Sequence, residues 1–139
     1  MANEELKFLN PSGLYNPAKN GYTHVVMTPT ESTIVYVAGQ GGEDESGVLV
    51  SHDFAIQLKQ AFANLQVALS AAGVCPENVV KITTLVVEHD ETKLQQVGAQ
   101  VRKMWGEQVP AQTLIPVPRL ALDGMLFEID AVAVIPIKQ

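Results

Sequence analysis

The stretch VVKITTLVV, residues 79–87, constrains the fold of this chain more than any other. All of it except Lys81 and Leu85 is β-branched, and so nearly continuous a run reads as a strand covered on both faces. It lies between two segments of helical period. On its N-terminal side, Phe54, Leu58, Ala61, Phe62, Leu65, Ala68, Leu69 and Ala72 recur every three or four residues, giving one apolar stripe. Ser51 or Asp53 can cap that helix, Gly73 can end it in a left-handed conformation, and Cys75–Pro76 breaks the chain. On its C-terminal side, Asp90 is an N-cap with Glu91 in the first turn, and Leu94, Val97, Val101, Met104 and Trp105 form a second stripe ended by Gly106.

Strand patterns fill the remainder. Residues 22–27 and 33–38 are β-branched and aromatic runs separated by TPTES, which predicts an antiparallel pair. Thr113–Val117 and Leu126–Ile135, with a polar break at Asp123–Gly124, predict a closing hairpin. Residues 1–20 read as an irregular lead-in with at most a short strand near Leu6–Leu9. The predicted order is β, β, helix, β, helix, β, β in one domain spanning 1–139. Each helix has a single apolar stripe, so both are expected on one face of a mixed sheet. Strands this apolar need their other face buried too, and a second copy of the chain is the natural cover.

Composition narrows the function. With 139 residues, 47% of them apolar, the chain can bury a packed core. Its net charge is −6, and its nine Lys and Arg residues are scattered, which argues against nucleic acid and anionic membranes as partners. One cysteine, Cys75, allows no internal disulfide and fits a reducing compartment. No signal-like N-terminus and no apolar run of bilayer length is present, so a cytoplasmic protein is expected.

Familiar chemical motifs are missing. His24, His52 and His89 have no ligand-spaced partner, so no metal is expected. Ser51, His52 and Asp53 are contiguous, which is a capping sequence and not a triad. Residues 39–42, GQGG, lack the Lys and Ser/Thr of a phosphate loop, and no cofactor motif is found. Two candidates remain near the C-terminus. Gln112 shares a strand face with Leu114 and Pro116, opposite Thr113, Ile115, Val117 and Arg119. Glu128 and Asp130 project together from an otherwise apolar strand and need water or partners, with Lys81 or Arg102 within the range of pairing.

Six segments together resemble one family. GYTHVV, VYVAGQGG, QLKQAFANLQVALSAAG, VVKITTLVV, WGEQVPAQT and FEIDAVAV are similar, in order and spacing, to the reactive intermediate deaminase family, also called Rid or YjgF-like, over roughly residues 20–136. The resemblance implies an α/β (α+β) fold of the chorismate-mutase kind. Its expected form is a six-stranded mixed sheet with two helices on one face, closed into a homotrimeric barrel with ligand clefts between subunits. It also implies hydrolysis of enamines or imines to keto acids and ammonia, without a cofactor. Such a site needs a cation to hold the substrate carboxylate and an acid to position water.

The resemblance places the acid at Glu128, as the catalytic residue. The family's carboxylate-binding Arg, after a Pro-Ala pair, falls on Gln112, its N-terminal aromatic on Tyr22, and its Ser before Gly-Gln on Ala38. Gly39, Lys81 and Thr83 complete the expected small-molecule site. A neutral amide does not replace a guanidinium as a carboxylate anchor. Two functions stay open: a hydrolase acting on a substrate without the usual carboxylate, and a trimeric small-molecule-binding protein that has lost the chemistry. Ribonuclease or translation-inhibitor activity, attached to some relatives, is disfavoured by the acidic charge.

Overall fold

A computed structural model describes residues 5–137. In chain order the elements are β1 (Lys7–Leu9), a 3-10 turn (Pro17–Asn20), β2 (Val25–Met27), β3 (Ser32–Gln40), α1 (Phe54–Ala71), a second 3-10 turn (Pro76–Asn78), β4 (Val79–Val87), α2 (Glu91–Trp105), β5 (Ala111–Val117) and β6 (Phe127–Pro136). Both helices form where the apolar periodicity places them. Asp53 accepts the Ile56 N–H at the start of α1, and Asp90 accepts the Lys93 N–H at the start of α2. Gly73 follows α1 with φ +74°, where a side chain would be strained.

Four strands form a mixed sheet in the order β3-β6-β4-β5. β6 is antiparallel to both β3 and β4, and β4 runs parallel to β5. The two helices cover one face. Phe127, Ile129, Ala131 and Ala133 of β6 and Ile82 and Val86 of β4 are buried there against Leu58, Phe62, Leu65, Val97, Val101 and Trp105. Phe62 stacks on Phe127 at 6.0 Å, and Phe54 meets the same ring edge-on at 6.0 Å. Each buried Val, Leu, Ile or Phe among them contributes about 1.5–3 kcal/mol of transfer free energy, so this layer dominates stability.

Three expectations about strand pairing are overturned. β5 and β6 are not a hairpin, because β4 lies between them. The apolar pattern of β4 is served by two neighbours, and a parallel β5 requires the crossover that α2 supplies. Nor do β2 and β3 pair: β2 is antiparallel to β1, and β3 to β6. The expected single six-stranded sheet is divided into a four-stranded and a two-stranded one. Their seam is a single parallel bridge, Thr23 to Ala111. Past it, the His24 N–H donates to the Asn10 side chain at 2.8 Å, which draws the chain away from β5 and toward β1. Pro116, without an N–H, weakens that edge of β5 further.

The second face of β4 is half-exposed within one chain, not covered as its composition predicts: Lys81, Thr83 and Leu85 alternate with buried Ile82, Thr84 and Val86. On the same face Ile115 of β5 and Ile34 and Tyr36 of β3 are exposed, Tyr36 at 77%.

Candidate functional site

The expected site residues fall into two groups on opposite faces of the sheet. Gln112 and Tyr22 belong to the helix side. They line a cavity of about 240 Å³ whose other walls are Asn20, Leu94, Val97, Gly98 and Leu114. Glu128, Gly39, Ala38, Lys81 and Thr83 belong to the open face. Along β4, Gln112 is opposite Ile82 and Glu128 is opposite Leu85, so the two are offset as well as turned apart. One chain does not bring them together.

The cavity exists because backbone approaches backbone. Gly21, at φ +72°, caps the first 3-10 turn in a left-handed conformation. A Cβ there would stand 3.4 Å from the Gly98 Cα and 3.7 Å from Val101. A glycine inside a helix costs about 1 kcal/mol relative to alanine. At Gly98 it lets the turn carrying Asn20 to Tyr22 sit directly on α2. Gln112 closes the far end, and both ends of its amide are engaged. Oε1 accepts from the Thr84 hydroxyl at 3.0 Å, and Nε2 donates to the Gly21 carbonyl at 3.3 Å. The side chain is thereby held as a strut between β4, β5 and the turn.

Tyr22 sits in a three-ring cluster. Its hydroxyl meets that of Tyr15, and both rings are edge-on to His24, with centroids at 5.3 Å from Tyr22 and 5.1 Å from Tyr15. His24 Nε2 is 2.8 Å from the Tyr15 carbonyl, which fixes the ring. Sequence reading did not single out Tyr15, Gly98 or Thr84, and it weighed His24 only as a metal ligand. The one local signal was a glycine inside a helical stripe.

On the open face, a bulge in β3 between Val37 and Gln40 turns Gly39 toward Glu128. A Cβ on Gly39 would overlap the Glu128 carboxylate and lie 2.8 Å from its Cγ. Ala38 precedes this contact, exposed, and its carbonyl accepts from the Gln40 amide at 3.1 Å. Burial, then the neighbouring Asp130 and Glu43 carboxylates, raise the Glu128 pKa above the ordinary glutamate value. Asp130 accepts the Thr83 N–H at 3.2 Å. Lys81 donates to the Thr113 hydroxyl at 2.8 Å, across β4 and β5, and forms no ion pair with either acid. Arg102 lies on α2, on the other side of the sheet, and Arg119 pairs with exposed Asp123 at 2.8 Å.

A half-buried carboxyl with a raised pKa, resting on bare backbone, can orient water or hold a proton. The cavity at Gln112 is apolar with an amide at its end, suited to a small ligand. Among the described residues no cluster of His, Cys, Asp and Glu could hold a metal ion, and no helix is long and apolar enough to cross a membrane.

Comparison with known proteins agrees with this architecture. The sequence profile of the Endoribonuclease L-PSP family matches residues 15–135. A RutC family protein of Pyrococcus horikoshii is 34% identical over 71% of this chain and 77% of its own length. The human protein named 2-iminobutanoate/2-iminopropanoate deaminase is 36% identical over 72% of each chain. A crystal structure of a Rid family protein of unknown function from Yersinia pestis superimposes with a TM-score of 0.88 at 32% identity, covering 94% of this chain and 98% of that one. The fold defines an α+β protein of the YjgF kind. The chain belongs to the Endoribonuclease L-PSP family, the Rid or YjgF family.

Proposed function

We propose that this protein is a Rid-type hydrolase of imines or enamines, active as a homotrimer, with each cleft built from the Gln112 cavity of one subunit and the Glu128 face of its neighbour. Glu128 carries this reading: its carboxyl is half-buried, its pKa is raised, and it occupies space that a Cβ on Gly39 would fill. The identity to the human protein named as an imine deaminase supports the same class. The split of the site between two faces supports a cleft completed by a second copy, as do exposed Ile34, Tyr36 and Ile115 at the two edges of the Glu128 face.

In this mechanism Glu128 orients water against the imine carbon. The water oxygen bonds to that carbon while its proton passes through the carboxyl to the nitrogen. As the C–N bond of the resulting carbinolamine breaks, its hydroxyl loses a proton that the carboxyl passes to the departing nitrogen, and ammonia and a carbonyl compound are released. Gln112, Tyr22, Ala38, Gly39, Lys81 and Thr83 frame the ligand, and no cofactor is required. The amide at 112 is committed to Thr84 and Gly21, so the substrate is not held there by charge and differs from an ordinary 2-imino acid.

A second reading, a non-catalytic small-molecule-binding trimer, draws on that same saturated amide. Ribonuclease action is disfavoured, because Glu43, Asp130 and Glu128 would meet a phosphodiester with like charge.

Pyruvate release from 2-aminoacrylate generated in situ tests the reading. Slow turnover is expected from the native chain. Gln112→Arg is expected to raise it about tenfold or more by adding a charged hydrogen bond, and Glu128→Gln to lower either rate about a hundredfold. Turnover indifferent to Glu128→Gln would leave the binding-protein reading. A monomer on sizing would remove the intersubunit cleft.

A further inference from the structure

We propose that Arg102 is the anion-binding residue of the Gln112 cavity, and that the ligand it selects carries a carboxylate set apart from its carbonyl or imine carbon. The proposal deepens the hydrolase reading by naming the substrate class, and it rests on that reading only for the reacting carbon. Leu94, Gly98 and Arg102 follow one another at intervals of four on α2, so they form one row along the helix. Leu94 and Gly98 already line the cavity. Helical side chains lean toward the N-terminus, which brings the Arg102 side chain back over the preceding turn. There it meets the bare position of Gly98. A Cβ on Gly98 would stand 3.3 Å from Arg102 Nη1 and 3.9 Å from Nη2 and Cζ. The missing side chain lets the guanidinium lie against Gly98, at the edge of a cavity that Arg102 does not itself line.

This guanidinium is uncommitted. It forms no hydrogen bond or ion pair among the described residues, and the side chain is exposed. The other arginine, Arg119, is tied to Asp123. In a chain of net charge −6, an unpaired guanidinium beside an apolar, amide-ended cavity is the complement of a small carboxylate.

Position fixes the class further. Gln112 bonds the Gly21 carbonyl, and Gly21 in turn packs on Gly98. Arg102 adjoins Gly98 and is absent from the lining that Gln112 shares with that glycine. A carboxylate attached directly to the reacting carbon, lodged beside Gln112, would fall short of it. A carboxylate several bonds away, as at the far end of a keto or imino diacid, reaches across the glycine wall.

The test is binding, measured by calorimetry on the intact protein with two probes, 2-oxoglutarate and 2-oxobutanoate. The native protein is expected to bind 2-oxoglutarate about tenfold or more tightly than 2-oxobutanoate. Arg102→Met should abolish that preference, and Arg102→Lys should keep part of it. Equal affinity for the two probes, or a preference that survives Arg102→Met, overturns the proposal. Thermal unfolding of each variant identifies any that fails to fold, in which case Arg102→Gln is the replacement. Binding does not depend on turnover, so an Arg102-dependent preference without hydrolysis would remove the hydrolase reading and leave this one standing.

Discussion

Gln112 and Thr84 stand on adjacent parallel strands and share a hydrogen bond of 3.0 Å, with the Thr84 side chain fully buried. Through the other end of the same amide the bond extends to Gly21, so one side chain joins β4, β5 and the turn that carries Tyr22. Thr84→Val would keep the shape and leave the Gln112 carbonyl oxygen without its donor. A loss of about 1–3 kcal/mol is expected. Urea unfolding should show it as a lower midpoint at unchanged m-value.

Gly39→Ala tests the contact under Glu128. The new methyl would occupy the place of the carboxylate, which must rotate away because Ala38, Gly39 and Gln40 are held in the bulge. Glu128 is the flexible partner, so the cost in stability is expected to be small, about 1 kcal/mol. Imine hydrolysis should fall at least about tenfold, since a displaced carboxylate no longer aims its water. Comparing unfolding midpoint with turnover on the same preparation separates the two effects. Loss of both in proportion would mean that Gly39 serves the fold alone.

The helices and their caps were legible because their information is local: Asp53, Asp90 and Gly73 each act within one turn of their own position. Strand order was not. Residues 113–117 and 126–135 have the composition of a hairpin, yet β4 separates them, because pairing is decided by long-range burial. The site was half-legible for the same reason. Parity along a strand correctly set Gln112 apart from Thr113, and Glu128 with Asp130. It could not place two strands relative to each other, so the separation of Gln112 from Glu128 by the whole sheet emerges only in three dimensions. Arg102 was expected as a partner for Glu128 and Asp130, from which the sheet separates it.

The raised pKa of Glu128 sets the acid side of the pH profile. Burial contributes most, followed by Asp130 and then Glu43. If the ionised form orients water, activity is lost as pH falls through that raised value, at a higher pH than an ordinary glutamate would give. Asp130→Asn removes a repelling charge and should shift the acid limb to lower pH, and Glu43→Gln should do so by less. Stability has the opposite sign. Between the unfolded and the raised folded pKa the native state holds more protons, so ionising Glu128 destabilises the fold as pH rises through that window. Glu128→Gln should therefore raise the melting temperature slightly near neutral pH, and the difference should vanish below the unfolded value. Melting curves from acid to neutral pH check both the sign and the window.

Gln57 carries the most consequential buried polar contacts. It lies on the core face of α1, one turn after Phe54, and its side chain is fully buried. Nε2 donates to the Ser51 and Gly124 carbonyls, each at 2.9 Å, and Oε1 accepts the Leu126 N–H at 2.8 Å. Gly42 packs so closely against it that a Cβ there would stand 2.8 Å from the Gln57 Cα. One amide thus fixes the start of α1, the turn at Gly124 and the entry to β6, two residues before Glu128. Gln57→Leu would fill a similar volume and strand two carbonyls and an N–H, at about 1–3 kcal/mol each where water cannot reach them. An expected net loss of about 3 kcal/mol should appear in urea unfolding. Hydrogen exchange supplies the sharper test: the Leu126 amide should lose protection well beyond the global change, while Val97 and Val101 in α2 follow the global change alone. Uniform loss across the chain would mean that Gln57 contributes to packing without holding the segment that presents Glu128.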